Sequence, residues 1–367
     1  MYDQIREDTI YIILYTVVTV MAAMASIYLL FRRGNAFVAE ITPPRRLRRW
    51  TAAFLAVCAV GHLWYLPAAV LTSDADIMLS MLIGALLDCM LTIPLALVVM
   101  LCMLQDRRRP LWPVSVMVAP LVVGMVVRII TRSEVLLPWL YGYSLLMAVG
   151  FTTYMVREVR RYGRWLRDNY ADLEHKEVWQ SFVVLVFILL VFSLYAFINE
   201  GTAYLYAIRV IYAVLICYLL WRVETLSDLS MPIKDAEEEL QVSLHESSLT
   251  LRNDIGPLLK MYCEEPQLYL QHDLTLFQLA KAVGTNRFYL SQYFSSQGTT
   301  YYAYINGLRV DHFISLYRES VDDHRSFTAQ QLAQESGFRN YNTFSSAFKR
   351  KTGQIVTVWM KAQERLR

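Results

Sequence analysis

Charge is scarce in this 367-residue sequence: Asp, Glu, Lys and Arg make up 18% of it, against 56% hydrophobic residues. Soluble domains carry about 25% charged residues, so the composition excludes a chain surrounded by water along its whole length. Cysteine is scarce too. The five present, Cys58, Cys89, Cys102, Cys217 and Cys263, form no CxxC pair and no Cys/His spacing that would hold a metal or act as a redox couple. Four of them read as small apolar residues within membrane helices. The sequence has no HExxH pair, no Gly-rich phosphate loop and no matched pair of membrane carboxylates. No cofactor, metal or catalytic residue is therefore expected, and the chain is not expected to be an enzyme. Its N-terminus is acidic and its first apolar run is long enough to span a bilayer, so no cleavable signal peptide is expected either.

What is present is long apolar stretches, concentrated in residues 1–221. About 20 mostly apolar residues cross a hydrocarbon core. Seven stretches meet that length: 10–31, 50–71, 77–104, 111–130, 135–156, 178–199 and 203–221. The third contains Pro94, which predicts a tilt or kink.

Arginines between the spans set the orientation, because Lys and Arg close to span ends stay in the cytoplasm. The first connector carries Arg32, Arg33, Arg45, Arg46, Arg48 and Arg49; the third carries Arg107, Arg108 and Arg109. The fifth carries Arg157, Arg160, Arg161, Arg164, Arg167 and Lys176, while the opposite side holds only Arg6 and Arg132. The N-terminus is thus predicted outside. An odd number of spans then puts everything after Trp221 in the cytoplasm, and the chain is expected to be a multi-pass protein of the bacterial cytoplasmic (inner) membrane.

The connectors are too short for an extracellular sensing domain, so any signal must reach the bundle, its outer mouth or the bilayer. Ionisable residues within spans are costly and usually face a bundle interior. His62, Asp88, Arg128 and Arg209, with Glu200 at a turn, are the candidates for a site that takes an unknown small-molecule or membrane signal. The bland alternative is that the arginines snorkel to an interface and the others are satisfied by neighbouring helices.

Charge is distributed unevenly along the chain. Residues 222–265 hold 4 basic and 10 acidic residues, and residues 266–367 hold 12 and 7. An acidic cytoplasmic linker, 222–265, therefore precedes a basic domain, 266–367. Leu240, Val242, Leu244 and Leu249 to Leu251 could pair as a dimerisation helix, although a solvated stalk explains them as well.

The most informative feature is an internal repeat. Thr275 to Gly284 (TLFQLAKAVG) aligns with Thr328 to Gly337 (TAQQLAQESG), a shift of 53 residues. Thr275 with Gln278 and Thr328 with Gln331 match a capping box at a helix start. Leu279-Ala280 and Leu332-Ala333 follow at the same turn, and Gly284 or Gly337 supplies a left-handed stop. A second helix follows in each copy, anchored by Leu290 and Phe294 or by Phe344 and Phe348 at i,i+4 spacing. Its other face is small and polar. This predicts two helix-turn-helix units joined by a long helix, Tyr301 to Tyr317, with Tyr302, Ile305, Leu308, Phe313, Ile314 and Tyr317 as its apolar stripe. A polar face flanked by cations suits the major groove, where Gln and Asn bond adenine and Arg or Lys hold phosphates. An ordinary helical hairpin is the alternative for one copy, but two matched copies favour DNA.

These motifs, LxxLA, Leu290-x-x-x-Phe294, Tyr304-Ile-Asn-x-Leu-Arg309, Gly337-Phe338 and Phe344-x-x-x-Phe348-Lys349-x-x-x-Gly353, resemble the DNA-binding domain of the AraC/XylS family of bacterial regulators. The resemblance covers about Leu274 to Lys361. It implies base contacts from Phe288, Ser291 and Gln292 in the first unit and from Tyr341, Asn342, Thr343, Ser345 and Ser346 in the second. It implies phosphate contacts from Arg287, Arg339, Lys349, Arg350 and Lys351, and it implies double-stranded DNA and RNA polymerase as partners. Val356 and Met360 depart from the family pattern near the C-terminus.

The expected fold is all-α: a seven-transmembrane helical bundle (1–221) followed by a cytoplasmic all-helical domain with two helix-turn-helix units. The expected function is a membrane-bound, sequence-specific transcription regulator that couples a signal at the bundle to promoter binding, embedded in the lipid bilayer and acting as a homodimer. The alternative is a transporter or membrane enzyme bundle fused to a DNA-binding domain.

Overall fold

The computed structural model describes residues 8–32, 35–38, 41–64, 67–187, 202–229 and 255–365. These residues are helical apart from turns and one isolated antiparallel bridge, Tyr170 to Thr275. The predicted dimerisation helix around Leu240 to Leu251, much of the sixth predicted span and Glu200 lie outside the described residues. The chain divides into two compact units, one of Met1–Arg160 with Val178–Leu229, the other of Arg161–Glu177 with Ser230–Arg367.

In the first unit the long described helices are α1 (Thr9–Phe31), α2 (Arg45–Trp64), α3 (Asp74–Cys102), α4 (Trp112–Thr131), α5 (Leu137–Asn169, whose last turns belong to the second unit) and α6 (Thr202–Thr225), with a single short turn of helix at Pro67–Val70. Residues 179–187 are helical as well. Among the described residues, four stretches are long and apolar enough to cross a membrane: α1, α3, α4 and Tyr206–Thr225 within α6. Two other predicted spans form helices of a different character. The first turn and a half of α2 is spent on Arg45, Arg46, Arg48 and Arg49, and the helix ends at Trp64. Helix α5 is apolar only as far as Val156, and Trp139, Tyr141, Tyr143, Thr152, Thr153 and Tyr154 dilute that part.

Small residues explain how α1 meets α2. Val18, Ala22, Ala25 and Leu29 are buried on α1, and Ala52, Leu55, Cys58 and Ala59 on α2. Ser26 donates to the carbonyl of Ala52 at 2.8 Å, a close backbone approach that small side chains permit. Within α3, a π-helical turn covers Asp88–Thr92 immediately before Pro94. Pro94 has no N–H to give the preceding turn, and a wider turn absorbs the missing bond. Buried charges tie the basic connectors down. Glu158 accepts from Arg109 at 2.7 Å and Arg107 at 2.9 Å, and Arg109 also pairs with Asp106 at 2.8 Å. Burial alone would raise the Glu158 carboxyl, but the hydrogen bonds from Arg109 and Arg107 outweigh it and hold the group below its ordinary value.

The second unit contains α7 (Ile255–Leu259) and its π-helical continuation Lys260–Glu264, then α8 (Leu276–Val283), α9 (Arg287–Ser296), α10 (Tyr301–Asp322), α11 (Ala329–Glu335), α12 (Tyr341–Thr352) and α13 (Val356–Arg365). Two apolar cores lie at the two ends of α10. Leu276, Leu279, Ala280, Val283, Leu290 and Phe294 pack with Tyr301 and Ile305 in one, and Leu332, Ala333, Phe338, Phe344 and Phe348 pack with Val310, Phe313 and Tyr317 in the other. Each core is one helix pair closed by its half of α10.

Helix α10 is five residues longer than the Tyr301 to Tyr317 prediction, and its buried stripe differs. Leu308 is only partly buried, whereas Arg309 is 1% exposed and Asn306 is buried beside it. Arg309 donates to the carbonyls of Tyr269 and Gln271, each at 2.7 Å, and to Asn306 Oδ1 at 3.2 Å. A planar donor fork satisfies several inward-facing carbonyls at once, which is why a cation is tolerated there.

Candidate nucleic-acid interface

Both helix pairs begin with the predicted capping box. Thr275 Oγ1 accepts from Gln278 N at 3.2 Å while Gln278 Oε1 accepts from Thr275 N at 2.8 Å; the second copy repeats this with Thr328 and Gln331 at 3.1 and 2.9 Å. The stops differ in detail. Gly284 is the C-cap of α8 at φ +75°, with open space where a side chain would stand. Gly337 lies one residue beyond the cap Ser336, at φ +88°, and a Cβ on it would meet the backbone of Leu270 at 2.8 Å. The second turn therefore needs glycine for space as well as for conformation.

Each second helix starts from an Asn cap. Asn286 Oδ1 accepts from Tyr289 N at 2.9 Å, and Asn340 Oδ1 accepts from Asn342 N at 2.6 Å. On α9, Leu290 and Phe294 are buried, Phe288 is 66% exposed, Gln292 is exposed, and Arg287 and Ser291 are half-buried. On α12, Phe344, Ala347 and Phe348 are buried, Asn342 and Ser346 are exposed, and Tyr341, Thr343 and Ser345 are half-buried. The apolar anchors face in, and the residues expected to meet bases lie on the remaining arc. Exposing a large aromatic such as Phe288 costs solvation that its own domain does not recover.

The expected phosphate contacts are not equivalent. Lys349 and Arg350 are exposed at the end of α12, and the Arg350 guanidinium stacks over Tyr302 at 5.4 Å. Lys351 bonds Asp311 and the carbonyl of Gly307, which ties α12 to α10. Arg339 stands 3.5 Å from Asp273. Sequence patterning missed the pairings of Lys351 and Arg339, because their partners lie 40 or more residues away.

The interface also contains residues from a distant part of the sequence. Ala171 is fully buried in the same core as Leu276, Leu279 and Ile305. Its carbonyl accepts from Asn306 at 2.8 Å, its neighbour Tyr170 forms the bridge to Thr275, and Glu174 accepts from Asn340 Nδ2 at 2.6 Å. Burial pulls the Lys176 ammonium below its ordinary range, against the pull of Asp172 and Asp273.

In the first unit, two of the candidate signal residues share a cluster. His62 is 4% exposed, with Nδ1 2.6 Å from the Cys58 carbonyl, and its ring stacks edge-on with Tyr15 and Tyr212. The Arg209 guanidinium lies 4.4 Å over the Tyr15 ring and 3.4 Å from the Tyr11 hydroxyl. Tyr206 donates to Asp8 at 2.6 Å beside them. The i,i+4 spacing of Tyr11 and Tyr15 was the available sequence signal for this cluster. Asp88 accepts from Thr92 at 2.8 Å, and Arg128 stands 3.5 Å from Glu134 at the end of α4.

Residues 279–362 match a family model described as a helix-turn-helix domain. No curated protein and no solved structure matches the chain. The family match covers less than a quarter of the chain and coincides with the two helix pairs and the helix between them. Residues 279–362 are accordingly similar to a helix-turn-helix domain, which supports a DNA-binding transcription regulator.

Proposed function

We propose that the chain is a membrane-bound, sequence-specific transcription regulator of seven spans, with its N-terminus outside and its helix-turn-helix domain in the cytoplasm. Helices α9 and α12 enter successive major grooves of one DNA face, a helical turn of roughly 34 Å apart. Phe288, Ser291, Gln292, Tyr341, Asn342, Thr343, Ser345 and Ser346 meet base edges; Arg287, Arg339, Lys349, Arg350 and Lys351 meet phosphates. A homodimer on tandem half-sites, with RNA polymerase as its downstream partner, completes the assembly. The bundle takes the signal, and the His62 and Arg209 cluster with its tyrosines is its receiving site, with Asp88 and Arg128 as the other ionisable candidates.

One observation carries this: two helix pairs with matching caps each hold an exposed polar arc on a helix anchored from behind. Arginine asymmetry between the connectors supports the membrane orientation. The test is chromosomal occupancy of the full-length protein against that of Gln292→Ala plus Asn342→Ala. Each lost bidentate contact costs about 1–3 kcal/mol, so specific occupancy should collapse while the protein stays in the membrane fraction. Unchanged occupancy would remove the assigned recognition faces. A C-terminal reporter found active on the outer side of the membrane would remove the orientation.

A further inference from the structure

Helix-turn-helix units offer the starts of their helices to the duplex. The first helix crosses the phosphate backbone, and the N-terminal residues of the recognition helix enter the groove. In the second unit of this protein those starts are already engaged by one short segment, 170–176. Tyr170 pairs through its backbone with Thr275, the cap of α8, and lies within electrostatic reach of Arg287, the first residue of α9. Glu174 takes the free amide N–H of Asn340, the cap of α12, at 2.6 Å. Lys176 is surrounded by Asp172, Asp273, Glu174 and Arg339.

The segment has the chemistry of a backbone surrogate. Asp172, Glu174 and Glu177 make it acidic, with Lys176 and His175 beside them. A carboxylate oxygen on the N-cap of a recognition helix sits at the positive end of the helix, where phosphate oxygens are also favoured. Attachment is firm on one side only: Ala171 is inserted in the apolar core, and the Tyr162 hydroxyl donates to the carbonyl of Lys176 at 3.2 Å. Contacts at the groove-facing side are polar and exchangeable for DNA contacts.

We propose that residues 170–177 form a DNA-competitive clasp, an acidic connector segment that closes over the starts of α8 and α12 and must withdraw before the domain can seat on a duplex. The clasp rests on the DNA-binding function proposed above and adds its regulation. The segment continues the C-terminal end of α5 and lies between the fifth and sixth predicted spans. A shift of either span relative to the membrane is therefore transmitted directly to the interface, without a partner protein or a separate sensor.

The experiment uses the full-length protein in lipid nanodiscs and a labelled random-sequence duplex of about 40 base pairs, long enough for two half-sites a turn apart, with binding read by fluorescence anisotropy at low salt. Glu174→Ala removes the carboxylate from the α12 cap. A hydrogen bond to a charged group holds roughly a tenfold bias, so this variant should bind up to about tenfold more tightly. Unchanged or weaker binding overturns the clasp. The second variant, Tyr170→Cys plus Thr275→Cys, places cysteines at a bridged antiparallel pair whose separation suits a disulfide. Its oxidised form should bind at least several-fold more weakly than the same protein after dithiothreitol, with the parent protein insensitive to the reductant. Equal binding in both redox states overturns the clasp even if Glu174→Ala has altered the local fold. Amide exchange at 170–177 should quicken when the duplex is added, and slower exchange there also overturns it. Absence of binding by parent and variants alike would instead remove the DNA-binding function, and the clasp with it.

Discussion

At the residue scale, the two turn glycines separate two physical demands that look identical in sequence. Gly284 needs only a left-handed backbone, since nothing stands within 4 Å of a Cβ built there. Gly337 needs that backbone and also the space beside Leu270. Gly284→Ala should cost about 1–2 kcal/mol, the ordinary left-handed penalty. Gly337→Ala should cost more and, by moving the 268–271 turn, should disturb the carbonyls that Arg309 holds. Thermal unfolding of the two variants side by side checks this, and equal losses would contradict the steric account. The positions of both glycines were legible from the repeat. The second demand was not, because Leu270 is 67 residues away from Gly337 and belongs to neither repeat. Arg309 makes the same point. It was visible as part of a family-like segment, yet nothing in its sequence neighbourhood marks a buried cation whose acceptors are the carbonyls of Tyr269 and Gln271.

At the scale of elements, the helices most clearly anticipated are those whose signals are local. Capping boxes, Asn caps and i,i+4 aromatic anchors act within four residues, and the α8 to α12 segment follows them closely. Helices α2 and α5 were legible as apolar runs, but their bounds were not. Helix α2 begins five residues before the predicted span and α5 continues well beyond it, because arginines sustain a helix as well as leucines do. Helix α5 is held at Glu158 by Arg107 and Arg109. Glu158→Ala leaves Arg109 buried without its main partner, which should cost about 3–5 kcal/mol. The pH dependence has a defined sign. A carboxyl held low in the folded state adds stability that is fully present above its ordinary value and is lost as pH falls through the lowered one. Acid unfolding of the parent in detergent should therefore show a loss in that window that Glu158→Gln lacks; identical acid profiles would argue against the ion cluster as an anchor of this unit.

At the scale of the molecule, the apolar N-terminal portion and the basic terminal domain differ sharply in composition, a contrast legible in the sequence alone. DNA attraction through phosphates is salt-dependent by counterion release. The exposed Lys349 should account for about one counterion, so Lys349→Ala should weaken duplex binding across sequences and lower the slope of log affinity against log salt by about one. Gln292→Ala should leave that slope unchanged. Reversal of these two behaviours would exchange the roles assigned to the two residues.

Sequence alone determined the all-helical character, the two matched helix pairs and their polar arcs, because each depends on neighbours within a turn or on the average character of a run. Tertiary structure decided what the 161–177 segment belongs to, which cations are already paired, and how His62 and Arg209 come to share one aromatic cluster. Those outcomes depend on contacts between residues separated by 40 to 198 positions, and no local periodicity records such contacts.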